Sequence, residues 1–99
     1  MITVKVTYTV KSGFKDQNLA NIRTFMEDFR QLPADFQYNV YNTGNTFIHL
    51  SHYKNEQVQA ATLNTLSFRT FQQRRDESGL EVHPQIEVLE LAAGTMEVL

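Results

Sequence analysis

Ile2, Val4, Val6, Tyr8 and Val10 alternate with Thr3, Lys5, Thr7, Thr9 and Lys11. Period two puts every apolar side chain on one side of an extended chain and every polar one on the other, so residues 2–10 predict a half-buried strand. The rest of the chain must supply something that covers that apolar row.

The next segment supplies it. After the Ser12-Gly13 break, Leu19, Ile22, Phe25, Met26 and Phe29 recur at spacings of three and four, which predicts an amphipathic helix with Asp16 as its N-cap and Pro33 marking its end. Residues 36–41 and 46–53 are two further β-rich runs. The Asn42-Thr43-Gly44-Asn45 link between them predicts an antiparallel hairpin. Asn55 is the expected cap of one second helix carrying Val58, Ala61, Leu63, Leu66, Phe68 and Phe71. That helix ends in the polar run 72–78, with Gly79 as its stop. Residues 82–91 read as the last main strand, and residues 95–99 as a tail or an extra strand laid on a partner.

Four strands and two helices in β-α-β-β-α-β order make an α+β, ferredoxin-like sheet: four antiparallel strands, the first and third central, both helices on one face. At 99 residues and 41% hydrophobic content, the chain is expected to form a single domain over residues 1–99. Such a chain buries only about two-thirds of its unfolded surface, so an oligomer interface is a natural supplement. The helix-free face is where one is expected. By alternation it presents Thr3, Lys5 and Thr7, then Gln37, Asn39 and Tyr41, then Phe47, His49 and Ser51, and finally Gln85, Glu87, Leu89 and Leu91. Asn39, Tyr41, Phe47, His49, Leu89 and Leu91 are therefore the expected face of a homodimer.

Several function classes are disfavoured. There is no cysteine, which removes disulfides, thiolate metal sites and cysteine nucleophiles. Lys and Arg number 9 against 11 Asp and Glu, for a net charge of -2, a poor match to a phosphate backbone. No nucleic-acid partner is expected, nor is a membrane, because no secretory signal or apolar run of spanning length is visible. The expected location is the cytoplasm. His49 and His52 form an H-x-x-H pair, but on a strand that odd spacing sends the two rings to opposite faces. No metal site and no cofactor are expected.

The run Phe47-Ile48-His49-Leu50-Ser51-His52-Tyr53, followed by Ala61-Thr62-Leu63-Asn64-Thr65-Leu66-Ser67-Phe68-Arg69-Thr70-Phe71, resembles the dimeric α+β barrel superfamily, within it the antibiotic biosynthesis monooxygenase group. The likeness rests on the aromatic at Tyr53, a helix opening with acidic and small residues, and the Phe68/Phe71 pair. It implies a dimer and a cofactor-independent oxygenase acting on a small aromatic or quinol-type molecule. Ser51 stands where such proteins often carry Glu, and Thr62 and Ser67 where they often carry His. These differences support the alternative, a non-catalytic ligand-binding or assembly module on the same dimer.

The residues locate a candidate site for either reading. Phe25, Met26, Phe29, Phe68 and Phe71 line the space between sheet and helices, first as core and, where the core is incomplete, as an apolar slot for a planar ring. Tyr8 and Tyr38 reach the same space as orienting donors. His52, continuing the row of Ile48 and Leu50, is the expected general base at its rim. His49 is expected on the other face as a hydrogen-bonded interface residue. Arg74, Arg75, Asp76 and Glu77 read as a solvated helix end.

Overall fold

A computed structural model describes residues 1–99. Strand β1 spans Ile2–Val10, helix α1 Lys15–Phe29, β2 Phe36–Thr43, β3 Thr46–Tyr53, α2 Glu56–Leu63, α3 Leu66–Arg74 and β4 Leu80–Leu89. The sheet is antiparallel in the order β2-β3-β1-β4. Its two central strands are β1 and β3, as the ferredoxin-like arrangement requires. The helices cover one face, and the core beneath them joins Tyr8, Val10, Ile22, Phe25, Phe29, Phe47, Phe68 and Phe71. No helix is long and apolar enough to cross a membrane.

Local chemistry sets the boundaries. A short 3₁₀ turn, Ser12–Phe14, leads into α1 and makes Phe14 the N-cap, so Asp16 lies in the first helical turn and does not cap it. There its charge still complements the helix dipole. The hairpin is tighter than expected: β2 runs to Thr43 and β3 starts at Thr46, leaving Gly44 and Asn45 as the turn. Gly44 takes φ 58°, a backbone conformation that side chains disfavour.

The expected single second helix is two. Asn55 does cap α2, its side chain accepting the Val58 N–H at 2.9 Å. The helix then stops at Asn64, and Thr65 is extended. Hydroxyls take up the carbonyls at this break: Thr62 Oγ1 donates to the Val58 carbonyl at 2.8 Å and Thr65 Oγ1 to that of Thr62 at 3.1 Å. Such side-chain bonds compete with helix continuation. After α3, Arg75–Gly79 forms one π turn. Gly79 is needed here for space, since a Cβ on it would run into the Phe14 ring.

The facing of β3 corrects the sequence reading. Tyr8 pairs with Phe47, Val6 with His49, Val4 with Ser51 and Ile2 with Tyr53, and paired residues share a face. Phe47, His49, Ser51 and Tyr53 therefore lie under the helices, with Phe47 0% and His49 2% exposed. Ile48, Leu50 and His52 point to the helix-free face and are half-buried. Both rows of β3 contain apolar residues, so alternation gives two solutions. The larger rings of Phe47 and Tyr53 bury more area than Ile48 and Leu50, and they take the core. Leu91, expected on the same face, lies beyond the end of β4. Asn39, Tyr41 and Leu89 do share the helix-free face, and Lys5 stands opposite Glu87 there.

Strand β4 forms an irregular edge. Its register with β1 slips between Thr7/Thr9 and between Thr9/Val10. Pro84, which has no N–H to donate, sits in the first of these bulges. Val88 and Ile86 pair with Val4 and Val6 on the helix side, yet they are 73% and 70% exposed because no helix extends over this edge.

Candidate functional site

Four polar side chains from four elements meet inside the core. Asn18 of α1 donates from Nδ2 to the Tyr8 hydroxyl at 3.0 Å. The Tyr8 hydroxyl meets His49 Nε2 at 2.8 Å, and His49 Nδ1 meets the Tyr38 hydroxyl at 2.7 Å. Asn18, Tyr8 and His49 are buried, and Tyr38 at the β2 end of the chain is half-buried. Sheet pairing positions the two central members, because β1 and β3 are adjacent and both rings rise from the same face.

Electrostatics keep this chain neutral. Burial, helped by the positive charge of Arg75, lowers the His49 imidazole to about 3. Burial pushes Tyr8 up to about 12 and Tyr38 well above the ordinary tyrosine value. A neutral imidazole donates from one nitrogen and accepts at the other. With Asn18 donating to Tyr8, the Tyr8 hydroxyl donates to Nε2, and Nδ1 carries the proton and donates to Tyr38 oxygen. The Tyr38 proton is then free for an acceptor outside the chain. Turning the Asn18 amide over reverses every bond, and Tyr38 then presents only acceptor capacity outward.

Arg75 was expected in the solvated helix end and is instead buried at 7% exposure. Its guanidinium carbon lies 4.8 Å from the centre of the Tyr8 ring and 5.3 Å from that of Phe71, and its Nε donates to Asp76 Oδ1 at 3.0 Å. Helical spacing places it there: Arg75 follows Phe71 by four residues and Phe68 by seven, on the buried face of α3, and the π turn begins only at Arg75 itself.

Tyr38 opens onto a cavity of about 510 Å³ between the C-terminal part of α1 and β2. Met26, Phe29, Leu32, Phe36 and Val40 give it apolar walls, and Arg30 supplies a positive charge. A few polar groups among apolar walls is the usual composition of a small-molecule site. Of the residues expected to line a pocket, Met26, Phe29 and Tyr38 do so. Phe25, Phe68 and Phe71 instead fill the core, with Phe25 packed edge-on against Phe68 and Phe71 at 5.1 and 5.0 Å between ring centres. Tyr8 is buried behind His49. His52, the expected base, is on the helix-free face, where Thr3 Oγ1 lies 3.0 Å from its Nδ1. Sequence reasoning missed His49 and Arg30. The pairing of Tyr8 with Phe47 was the signal for His49, but it depends on a register that the sequence leaves open. No group of three or more His, Asp or Glu side chains is placed to hold a metal ion.

No protein-family model matches the chain, and no curated protein matches it. Solved structures do. A structure described as an antibiotic biosynthesis monooxygenase superposes with a TM-score of 0.82 at 14% identity, covering 94% of this chain and 100% of that one. The chain has the antibiotic biosynthesis monooxygenase fold. A putative antibiotic biosynthesis monooxygenase from Nitrosomonas europaea gives 0.80 at 14% identity, over 96% of this chain and 93% of that one. Another from Caulobacter crescentus gives 0.79 at 14%, over 93% and 90%. The monooxygenase fold thus extends over almost the whole of each chain, and at these identities the likeness is one of fold.

Proposed function

We propose that this chain is a cytoplasmic, homodimeric, cofactor-independent monooxygenase-like enzyme that binds a small aromatic or quinol-type molecule in the cavity at Tyr38. The observation that carries this reading is a cavity lined by both Tyr38 and Arg30, with the Tyr38 hydroxyl bonded to a neutral His49. A phenolic ligand seated there meets a fixed cation and a hydroxyl of adjustable polarity. Both favour its oxyanion, with the proton leaving to solvent.

Such an oxyanion supplies its own electrons. Electron transfer to dioxygen and recombination form one C–O bond and give a ring hydroperoxide. The peroxide takes up a proton from solvent, and loss of water then breaks the O–O bond, removes the hydrogen on that carbon and leaves a carbonyl. The substrate gives up four electrons and dioxygen accepts four, one oxygen ending in the product and the other in water. His49 takes part by passing its hydrogen-bond polarity to Tyr38, since an imidazole held at about 3 does not keep a second proton at neutral pH.

The test is oxygen uptake with 1,4-dihydroxynaphthalene and with anthrone, alongside ligand titration by tyrosine fluorescence. Uptake above the uncatalysed rate, with saturable binding, is the expected result. Binding without uptake would replace the enzyme with a ligand-binding module, and neither would favour an assembly module.

The second copy is supported by exposed apolar surface. Seven of the ten exposed large hydrophobic residues, Val82, Ile86, Val88, Leu89, Leu91, Met96 and Leu99, fall in the last eighteen positions, on or beyond an edge strand. The helix-free face adds Tyr41, Ile48 and Leu50. Leu50→Lys should convert a dimer into a monomer in sedimentation at micromolar concentration. A wild-type monomer under the same conditions would remove the dimer from the proposal.

A further inference from the structure

A second groove, of about 300 Å³, lies between α1 and α3. Its α1 residues, Asn21, Thr24 and Asp28, project from the side of the helix opposite Met26 and Arg30, so it is separate from the Tyr38 cavity. Phe71 forms part of its lining, and Ser67, Thr70 and Arg74 are its polar residues from α3.

Two polar atoms in this lining are buried without a partner in the protein: Asn21 Nδ2 and Ser67 Oγ. Asn21 is only 6% exposed. The orientation of its amide is fixed by Arg74, whose guanidinium can only donate: Oδ1 accepts from Arg74 Nη1 at 3.2 Å, and Gln17 Nε2 donates to the same oxygen at 2.9 Å. The remaining donor is therefore Nδ2, beside the Arg74 guanidinium. A buried donor left unpaired costs about 1–3 kcal/mol, which a ligand oxygen would recover. Asp28 lies two helical turns from Asn21, roughly 10 Å along α1, and puts a negative charge at the far end.

We propose that the α1–α3 groove binds a small monocarboxylate with a flat apolar body. Its carboxylate accepts from Asn21 Nδ2 and Arg74, its body lies along the groove floor between Thr24 and Thr70 with Leu66 as the exposed apolar wall, and its far end faces Ser67 and Asp28. This charge arrangement selects against a second carboxylate at the far end and for a cation or hydrogen-bond donor there.

The test uses three probes of one shape, benzoate, terephthalate and 4-(aminomethyl)benzoate, followed by ¹H–¹⁵N NMR of the intact protein. The Asn21 side-chain amide signals should shift with benzoate. Arg74→Gln should weaken that binding about tenfold, the size of one charge-assisted hydrogen bond. 4-(Aminomethyl)benzoate should bind more tightly than benzoate and terephthalate less tightly, and Asp28→Asn should bring the three together. Arg74 and Asp28 are both exposed, so these variants are expected to fold. Unmoved Asn21 signals, or shifts indifferent to both substitutions, would overturn the proposal.

Discussion

Lowering the pH from 7 to 4 is expected to remove about 3 kcal/mol of folding stability through His49 alone. Burial first, and the charge of Arg75 second, lower the folded imidazole to about 3, against about 6.5 in an unfolded chain. Between those values the unfolded state binds a proton that the folded state refuses, so stability falls as pH falls. The contribution is complete above about 6.5, declines through the window and levels off below about 3. Urea unfolding at pH 7, 5.5 and 4 measures it. His49→Gln keeps groups able to meet both tyrosines but does not titrate, and the difference in slope between wild type and variant isolates His49 from carboxylates and from His52. Equal slopes would mean that His49 takes up a proton without disturbing the Tyr8–His49–Tyr38 bonds, and the neutral chain would have to be abandoned.

Tyr38→Phe is expected to lower turnover of a phenolic substrate by about a hundredfold, the usual loss when one donor to a developing oxyanion is removed. The phenyl ring keeps the cavity wall, so binding of the hydrocarbon body should change much less than kcat. Arg30→Met should act in the same direction by removing the fixed charge. His52→Ala should leave turnover within a few-fold of wild type, since that ring lies on the other face of the sheet bonded to Thr3. Steady-state oxygen uptake separates these outcomes. A large loss with His52→Ala and none with Tyr38→Phe would move the chemistry to the helix-free face.

The break between α2 and α3 illustrates where sequence reading stops. The spacing of Val58, Ala61, Leu63, Leu66, Phe68 and Phe71 fits one helix, and nothing apolar marks the interruption at Asn64 and Thr65. The break comes from hydroxyl and amide groups bonding locally, a contribution of about 1 kcal/mol apiece that periodicity does not register. Arg75 is a similar case. In a charged run a solvated reading is the natural one, although Arg75 continues the buried face of Phe68 and Phe71 and its guanidinium ends over the Tyr8 ring.

Period-two and period-three-to-four patterning determined the order of the elements, the central place of β1 and β3 and the covering of one face by helices, because each pattern is a local property that burial rewards. Tertiary structure alone decided which row of β3 is buried. Ile48 and Leu50 compete there with Phe47 and Tyr53, and a slip of one residue exchanges them at no cost to local propensity. What settles the competition is the pairing of Tyr8 with Phe47 and the fit of His49 between two tyrosine hydroxyls. Those are contacts between residues as much as 41 positions apart, formed only when the sheet and helices close on one another.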